Sequence, residues 1–267
     1  MTHSLVMLLI IGLPPLTFLV LACAERLLPT MPARGQQTGA DVIANLSGFA
    51  MQGALVPAIG YVISAMVLPS VASAAQGVLG LGFWGAFVLC FVGVDFLYYV
   101  QHTLLHRVGV LWRLHRCHHA APTVSVWTTA RNSLLLNFVL VYLLINPWLA
   151  YLSGSIEGYL LAASVTASLD LWRHTRLKPA RYWSALEWLL ITPRLHHQHH
   201  DATDYARNFG ANLSVWDRLF GTLRSNGVYP ASYAVADAPD IWSQLLHPLP
   251  IGRSYPATVC NPLEKVS

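Results

Sequence analysis

Long apolar runs alternate with short polar stretches over most of the chain. Five of them, near residues 5–24, 43–68, 78–100, 134–151 and 156–171, carry no sustained period-two alternation and are predicted helices. Crossing the hydrocarbon of a bilayer takes about 20 mostly apolar residues as a helix, so the pattern predicts membrane spans, the last two of them short. Pro29, Pro32, Gly35 and Gly39 interrupt the chain after the first run, with Asp41 the expected N-cap of the second. After Tyr229 proline recurs without helical periodicity, which predicts an irregular tail.

The sixteen Lys and Arg residues orient these spans. Arg26 and Arg34 follow the first run, Arg107, Arg113, Arg116 and Arg131 lie between the third and fourth, and the other ten begin at Arg173. None occurs in residues 1–24, 35–106 or 132–172. By the positive-inside rule the N-terminus is outside, odd-numbered spans run inward, and outer loops lie near 69–77 and 146–156. The expected fold is all-α: a multi-pass integral membrane protein with a cytoplasmic helical cap. It divides into an N-terminal transmembrane region (1–84), a central domain (85–225) and an irregular cytoplasmic tail (226–267).

Composition agrees with a chain in lipid. Of 267 residues 55% are hydrophobic and 10% charged, against roughly 25% charged in a typical soluble domain. The pI of about 9.0 then reads as orientation and contact with anionic headgroups. No basic and aromatic interleaving of the nucleic-acid-binding kind appears, and no nucleic-acid partner is expected. Val20-Leu21-Ala22-Cys23 looks like a lipoprotein cleavage box, but no Lys or Arg precedes it, so no cleavage is expected. Cys23, Cys90, Cys117 and Cys260 are scattered, which suggests neither a disulfide framework nor an iron–sulfur cluster. No internal repeat and no haem or ferredoxin module is visible, so electrons, if needed, come from another protein.

The chemistry lies in the histidines. Ten of twelve fall between His102 and His200, as His102-x3-His106, His115-x2-His118-His119, His174 and His196-x2-His199-His200. Residues three and four apart share a helix face, so each cluster is expected to aim its imidazoles at one spot. His3 and His247 read as ordinary interfacial residues, and His197, outside the triplet spacing, as solvent-facing or supporting. Nine imidazoles can supply four or five nitrogens to each of two ions, more than a tetrahedral zinc site uses. No Glu adjoins a cluster, as the HExxH zinc hydrolases require, and redox iron fits better.

Asp95, Tyr98, Tyr99, His102 and His106 recur at helical spacing in the third span. A carboxylate within a membrane helix needs a partner, and a ligating imidazole donating its second N–H is expected for Asp95; a polar helix contact is the alternative. Tyr98 and Tyr99 read as an interfacial aromatic belt. Arg131 and Asn132 are expected to meet a substrate or lipid headgroup. Asp217 and Arg218 are candidates for an ion pair holding the cap, and Trp216 and Phe220 for packing on one helix face.

In that order and between hydrophobic hairpins, the histidine motifs resemble those of the fatty acid hydroxylase and sterol desaturase superfamily. Flanking words agree: Asp95-Phe96-Leu97-Tyr98-Tyr99, Leu111-Trp112-Arg113-Leu114-His115, Ile191-Thr192-Pro193, Asn208-Phe209-Gly210 and Trp216 through Thr222, so the resemblance covers roughly residues 85–225. It implies a helical, membrane-bound, non-haem di-iron oxygenase that oxidises fatty acyl, sterol or isoprenoid substrates. Two iron ions, dioxygen and an external electron donor of ferredoxin or cytochrome b5 type with its reductase are implied with it. The ligands it implies are His102, His106, His115, His118, His119, His174, His196, His199 and His200. Family members often carry His or Asn four residues before the intermediate histidine, where this chain has Asp170. That carboxylate has several readings: iron ligand, holder of a bridging water, hydrogen-bond partner of a ligand, or ion-pair partner of Arg173 or Arg176.

The expected reaction is hydroxylation of an unactivated C–H bond, with desaturation or ether-lipid oxygenation on the same site as alternatives. More distant readings are a b-type cytochrome, which needs fewer histidines, a zinc-dependent membrane hydrolase, and a metal transporter, whose polar pathway the first two spans lack.

Overall fold

A computed structural model describes residues 3–138, 141–180, 182–235, 238, 240–246 and 248 of the chain. Their regular secondary structure is helical, with two isolated β-bridges, Thr30 to Leu177 and Leu190 to Leu213, and no strand among the described residues. Among the described residues four helices are long and apolar enough to cross a membrane: α1 (His3–Leu27), α2 (Gly39–Val71), α3 (Phe83–Arg107) and α5 (Leu134–Ser153). Between α3 and α5 lies α4 (Gly109–His119). The expected fifth span forms as α6 (Ile156–Arg173), but Glu157, Asp170 and Arg173 make it more polar than the other four. Only 6% of the most apolar stretch of α1 is buried, and Leu8, Ile11, Leu16 and Leu19 point outward. Exposed apolar faces of this length require hydrocarbon around them, and the chain is an integral membrane protein.

The spans bend where proline demands it. Wide π-helical turns occupy Met51–Leu55, Ile63–Val67 and Val141–Ile145, each ending two residues before a proline, Pro57, Pro69 and Pro147. Proline lacks an N–H and its ring presses on the carbonyl of the preceding turn, which a widened turn relieves. Another π turn, Leu89–Val94, has no such proline and ends directly before Asp95. The expected N-cap of α2 is shifted: Thr38 caps the helix and Asp41 closes a capping box onto it.

Ala86, Cys90 and Val94 of α3, Val141 and Ala150 of α5, and Tyr159 and Ala162 of α6 form the membrane core. Helix α6 lies between α1 and α3, and the Ser164 hydroxyl donates to the Ile10 carbonyl at 2.7 Å. Gly158 makes its close approach to α3 possible, since a Cβ there would sit 2.1 Å from the Phe83 carbonyl oxygen. The ends of α3 and α6, all of α4 and the segment after α6 converge on one end of this bundle. That segment holds four short helices, α7 (Trp183–Leu186), α8 (Pro193–His199), α9 (Val215–Leu219) and α10 (Ile241–Leu246). Helix α10 packs against α4 and α2, inside the region expected to be irregular. Cys260 and His247 lie outside the described residues.

Candidate metal centre

Nine buried histidines converge at this end in two groups. His102, His106, His115, His119 and His199 form one, and His118, His174, His196 and His200 the other. In each, one ligand atom per residue lies within 4.8 Å of all the others. All nine were expected from the sequence, eight by their spacing and His174 as a lone residue at the end of an apolar helix, yet neither triplet stays within one group. With about 3.6 residues per turn, residues i and i+4 differ by about 40° around the axis, whereas i+3 and i+4 differ by about 100°. The i, i+4 pairs 102/106 and 115/119 therefore share the first group and 196/200 the second, while His118 and His199 cross to the opposite group. Helices α4 and α8 thus each contribute to both groups, while α3 supplies only the first and the end of α6 only the second.

Backbone carbonyls set the tautomers. His102 Nδ1 donates to the Phe209 carbonyl at 2.8 Å, His118 to Arg131 at 3.0 Å, His174 to Asp170 at 2.8 Å and His199 to Arg207 at 2.6 Å. A carbonyl only accepts, so Nδ1 carries the hydrogen and Nε2 presents a bare lone pair. His118 Nε2 and His174 Nε2 then face each other at 3.4 Å with no proton between them, an arrangement that calls for a cation. The spacings His174–His196 at 2.9 Å, His196–His200 at 3.1 Å and His102–His115 at 3.0 Å are likewise Nε2 to Nε2. Imidazole nitrogens about 2.1 Å from a common ion and at right angles to one another stand about 3 Å apart. His106 Nε2, His119 Nε2 and His199 Nε2 are buried without a hydrogen-bond partner, as a ligand atom would be. The donor set therefore fits two ions.

Burial keeps the cap imidazoles neutral. Desolvation, reinforced by neighbouring histidines, lowers the pKa of His115, His118, His119, His196 and His200 well below its ordinary value, and that of His199 to about 4. Neutral imidazole is the form that binds metal.

The outer layer differs from expectation at several residues. Asp95 meets no imidazole: its carboxylate accepts from the Asn212 amide at 2.7 Å, the Leu213 amide at 3.1 Å and Trp216 Nε1 at 2.8 Å. It anchors the cap loop to the membrane helix, its cost in the span offset by three donors. Asp217 forms no pair with Arg218; it accepts from the Phe209 and Gly210 amides, both at 2.8 Å, and from the Thr222 hydroxyl at 2.6 Å. Together the two carboxylates hold the turn whose Phe209 carbonyl orients His102. Arg218 donates to the Glu187 carbonyl and lies over the Trp188 ring. Trp216 and Phe220 do share a face, packing on Phe96 at 4.9 and 6.2 Å between ring centroids.

Arg131, expected at a headgroup, is 1% exposed. Its guanidinium donates to Asp41 at 2.7 Å and to the Cys117 carbonyl at 2.9 Å, while its own carbonyl holds His118. His197 is fully buried rather than solvent-facing: Nδ1 meets the Tyr233 hydroxyl at 2.6 Å, which ties the segment after residue 225 to α8. Asp170 lies outside both histidine groups, its carboxylate 2.7 Å from Arg173 and 3.1 Å from His174 Nδ1.

A small cavity of about 20 Å³ opens onto His102, His115, His118, His174 and His196, with Asp170 at its wall. That is room for about one water-sized ligand. Sequence spacing missed Gln52 of α2 and Tyr142 of α5 in its lining, and took Tyr98, also in the wall, for part of an interfacial belt. Tyr98 lies four residues before His102 on the same face, a signal present in the sequence. Its neighbour Tyr99 is 4% exposed and bonded to the Thr222 hydroxyl, so it too is structural rather than interfacial.

A membrane-helix bundle whose one end holds two pockets of neutral imidazoles defines a class of histidine-rich membrane metal protein. Within that class the sequence profile described as fatty acid hydroxylase matches residues 87–222, and the chain belongs to that family. It is 28% identical over 179 residues to an alkylglycerol monooxygenase of Xenopus tropicalis, a match covering 64% of this chain and 38% of the relative. Similarity of 28% over 173 residues links it to the human alkylglycerol monooxygenase, covering 63% and 38% of the two chains. An ornithine lipid hydroxylase of Rhizobium tropici is 31% identical over 140 residues, covering 52% and 41%. The matched stretch thus spans about two fifths of the length of these curated relatives. No solved structure matches.

Proposed function

We propose that the chain is a membrane-bound non-haem di-iron oxygenase that hydroxylates an unactivated C–H bond of a lipid-like substrate. The observation that carries this reading is the opposition of the bare His118 and His174 Nε2 lone pairs in one of two adjoining pockets of buried imidazoles. Two iron ions, when bound, would supply the redox chemistry that turns dioxygen and two external electrons into C–H oxidation.

The chain's own groups do the rest. The nine histidines hold the ions, and the Phe209, Arg131, Asp170 and Arg207 carbonyls fix four of the rings. Asp170 supports His174 from the cavity wall rather than binding metal itself. Buried Phe209 and Trp112 exclude water from the five-histidine pocket. Gln52, Tyr98 and Tyr142, one from each of three membrane helices, border the cavity. A substrate would therefore reach it from the bilayer, with its reacting carbon placed between these polar groups and the imidazoles. Such placement decides between hydroxylation and desaturation. The likeness to alkylglycerol monooxygenases favours, as a second reading, oxygenation beside an ether oxygen.

We assign the centre to the cytoplasmic side, where the arginine distribution puts this end of the bundle and where a soluble electron donor and its reductase operate. The catalytic unit is residues 85–225, carried on the transmembrane region 1–84 and strapped by the segment from 226. Protein in lipid nanodiscs, supplied with reduced ferredoxin, ether or acyl lipids and ¹⁸O₂, should yield an alcohol or aldehyde carrying one ¹⁸O atom. Unlabelled product, or oxidation confined to water-soluble compounds, would contradict the reading.

A further inference from the structure

The two sides of the histidine cluster differ in what covers them. Toward the membrane lies the small polar cavity. On the side of His106 and His119 lie two aromatic rings, Trp112 and Tyr205, stacked at 4.8 Å with an interplanar angle of 5°. Trp112 is 3% exposed and stands 5.1 Å from the His106 ring and 5.3 Å from His119. Tyr205 is half-buried and touches the same two imidazoles at 5.9 and 5.8 Å. Ring-to-ring contact is thus continuous from a half-exposed residue to two ligands of the five-histidine pocket. Electron tunnelling falls steeply with distance, and these ring contacts keep each step short.

The neighbourhood of Tyr205 also has a sign. Asp204 and Arg207 flank it with side chains 33% and 42% exposed, and Arg224 pairs with the same Asp204. Arg107 ends α3 and is exposed, and Arg113 and Arg116, both half-buried, follow Trp112 on α4. Residues 107–119 and 201–224 together carry six arginines and three carboxylates, Asp201, Asp204 and Asp217.

We propose that electrons reach the metal centre through the Tyr205–Trp112 stack, and that the basic surface around Tyr205 docks an acidic one-electron carrier protein of the iron–sulfur or haem class. The proposal rests on the di-iron reading. In each encounter the carrier loses one electron and one ferric ion becomes ferrous; two encounters reduce both ions, and no bond in the protein forms or breaks. Opposite charge raises the rate of encounter and makes it salt-dependent.

The test is anaerobic stopped-flow reduction of the iron-loaded, detergent-solubilised full chain. The reductants are pre-reduced plant-type ferredoxin, a soluble cytochrome b5 domain, and dithionite with methyl viologen as a small diffusible control. Tyr205→Leu should slow reduction by the protein carrier severalfold while iron content and the dithionite rate stay at wild-type values. Tyr205→Phe, which keeps the stack, should restore the carrier rate. Arg207→Glu should slow it most at low salt. Equal carrier rates in wild type, Tyr205→Leu and Arg207→Glu would overturn the proposal, as would failure of both carriers to reduce the wild type. Should Tyr205→Leu lose iron, the charge variant and its salt dependence decide. Wild type that binds no iron would instead remove the di-iron reading beneath it, so the two failures are distinguishable.

Discussion

The two histidine pockets share α4 and α8 but are not equivalent, since α3 supplies only the five-histidine pocket and the end of α6 only the four-histidine one. One has five imidazoles, is packed by Phe209, Trp112 and Tyr205, and receives no carboxylate. The other has four, and Asp170 stands beside its His174 next to the cavity. Closed coordination favours a stable ion, and a gap in coordination leaves room for a ligand, the same distinction that separates structural from catalytic metal sites. On the di-iron reading proposed above, this difference would give the pockets distinct tasks, an ion in the five-histidine pocket receiving electrons and one in the four-histidine pocket, which supplies three of the five imidazoles at the cavity, meeting exogenous ligands.

Removing one ligand from each pocket tests this most severely. His106→Ala and His174→Ala should each abolish oxygenation, but each should empty its own pocket, leaving about one iron per chain instead of about two in metal analysis. Loss of both ions from either variant would mean the pockets are one cooperative unit. Next in size is Arg131→Met, which strands the Asp41 carboxylate inside the protein and slackens the support of His118. Breaking a buried pair from one side costs about 3–5 kcal/mol, visible as a fall in thermal midpoint. It should weaken the four-histidine pocket alone, so a uniform loss of iron would contradict the asymmetry.

A milder change is Asp170→Ala, which should alter the spectrum of the four-histidine ion and leave the other unmoved. Asp95→Asn should cost about 1–3 kcal/mol, the usual penalty for impairing one buried hydrogen-bonding group. It acts through the Asn212–Trp216 turn, and thermal unfolding with retained iron is its readout.

The smallest effect is that of pH on the metal-free protein. Burial depresses His199 to about 4 and His197 to about 3, while the unfolded chain titrates near 6.5. The unfolded state therefore takes up protons first as pH falls. Stability present above about pH 6.5 is lost progressively toward pH 4. Thermal unfolding of the metal-free protein across that range should show the decline. A flat profile would mean the imidazoles are not buried in their neutral form.

How much of this was legible in the sequence depends on sequence distance. Eight of the nine gathered histidines were readable because helical spacing is local, with His174 added by the family resemblance, and so were four of the spans, because lipid rewards long apolar runs. Division of the triplets between pockets follows from helical angles, yet needs to be known relative to the other helices. Asp95 was recognised as needing a partner, but its partners lie near residues 212–216, more than a hundred positions away. Arg131 similarly finds Asp41 ninety positions earlier. Patterns in the chain reveal that a buried charge must be paired, not with what. Tyr142 and Gln52 carry no motif at all and reach the cavity only through the packing of α2 and α5 on α3.

Metal analysis joined to Mössbauer spectroscopy of protein from iron-57-grown cells, wild type beside His118→Ala and Asp170→Ala, tests the central claim most directly. The account predicts about two irons per chain in two unequal sites, loss of the four-histidine signal alone in His118→Ala, and a shifted but occupied site in Asp170→Ala. Stoichiometric zinc or haem without iron, or a single class of equivalent ions, would contradict it.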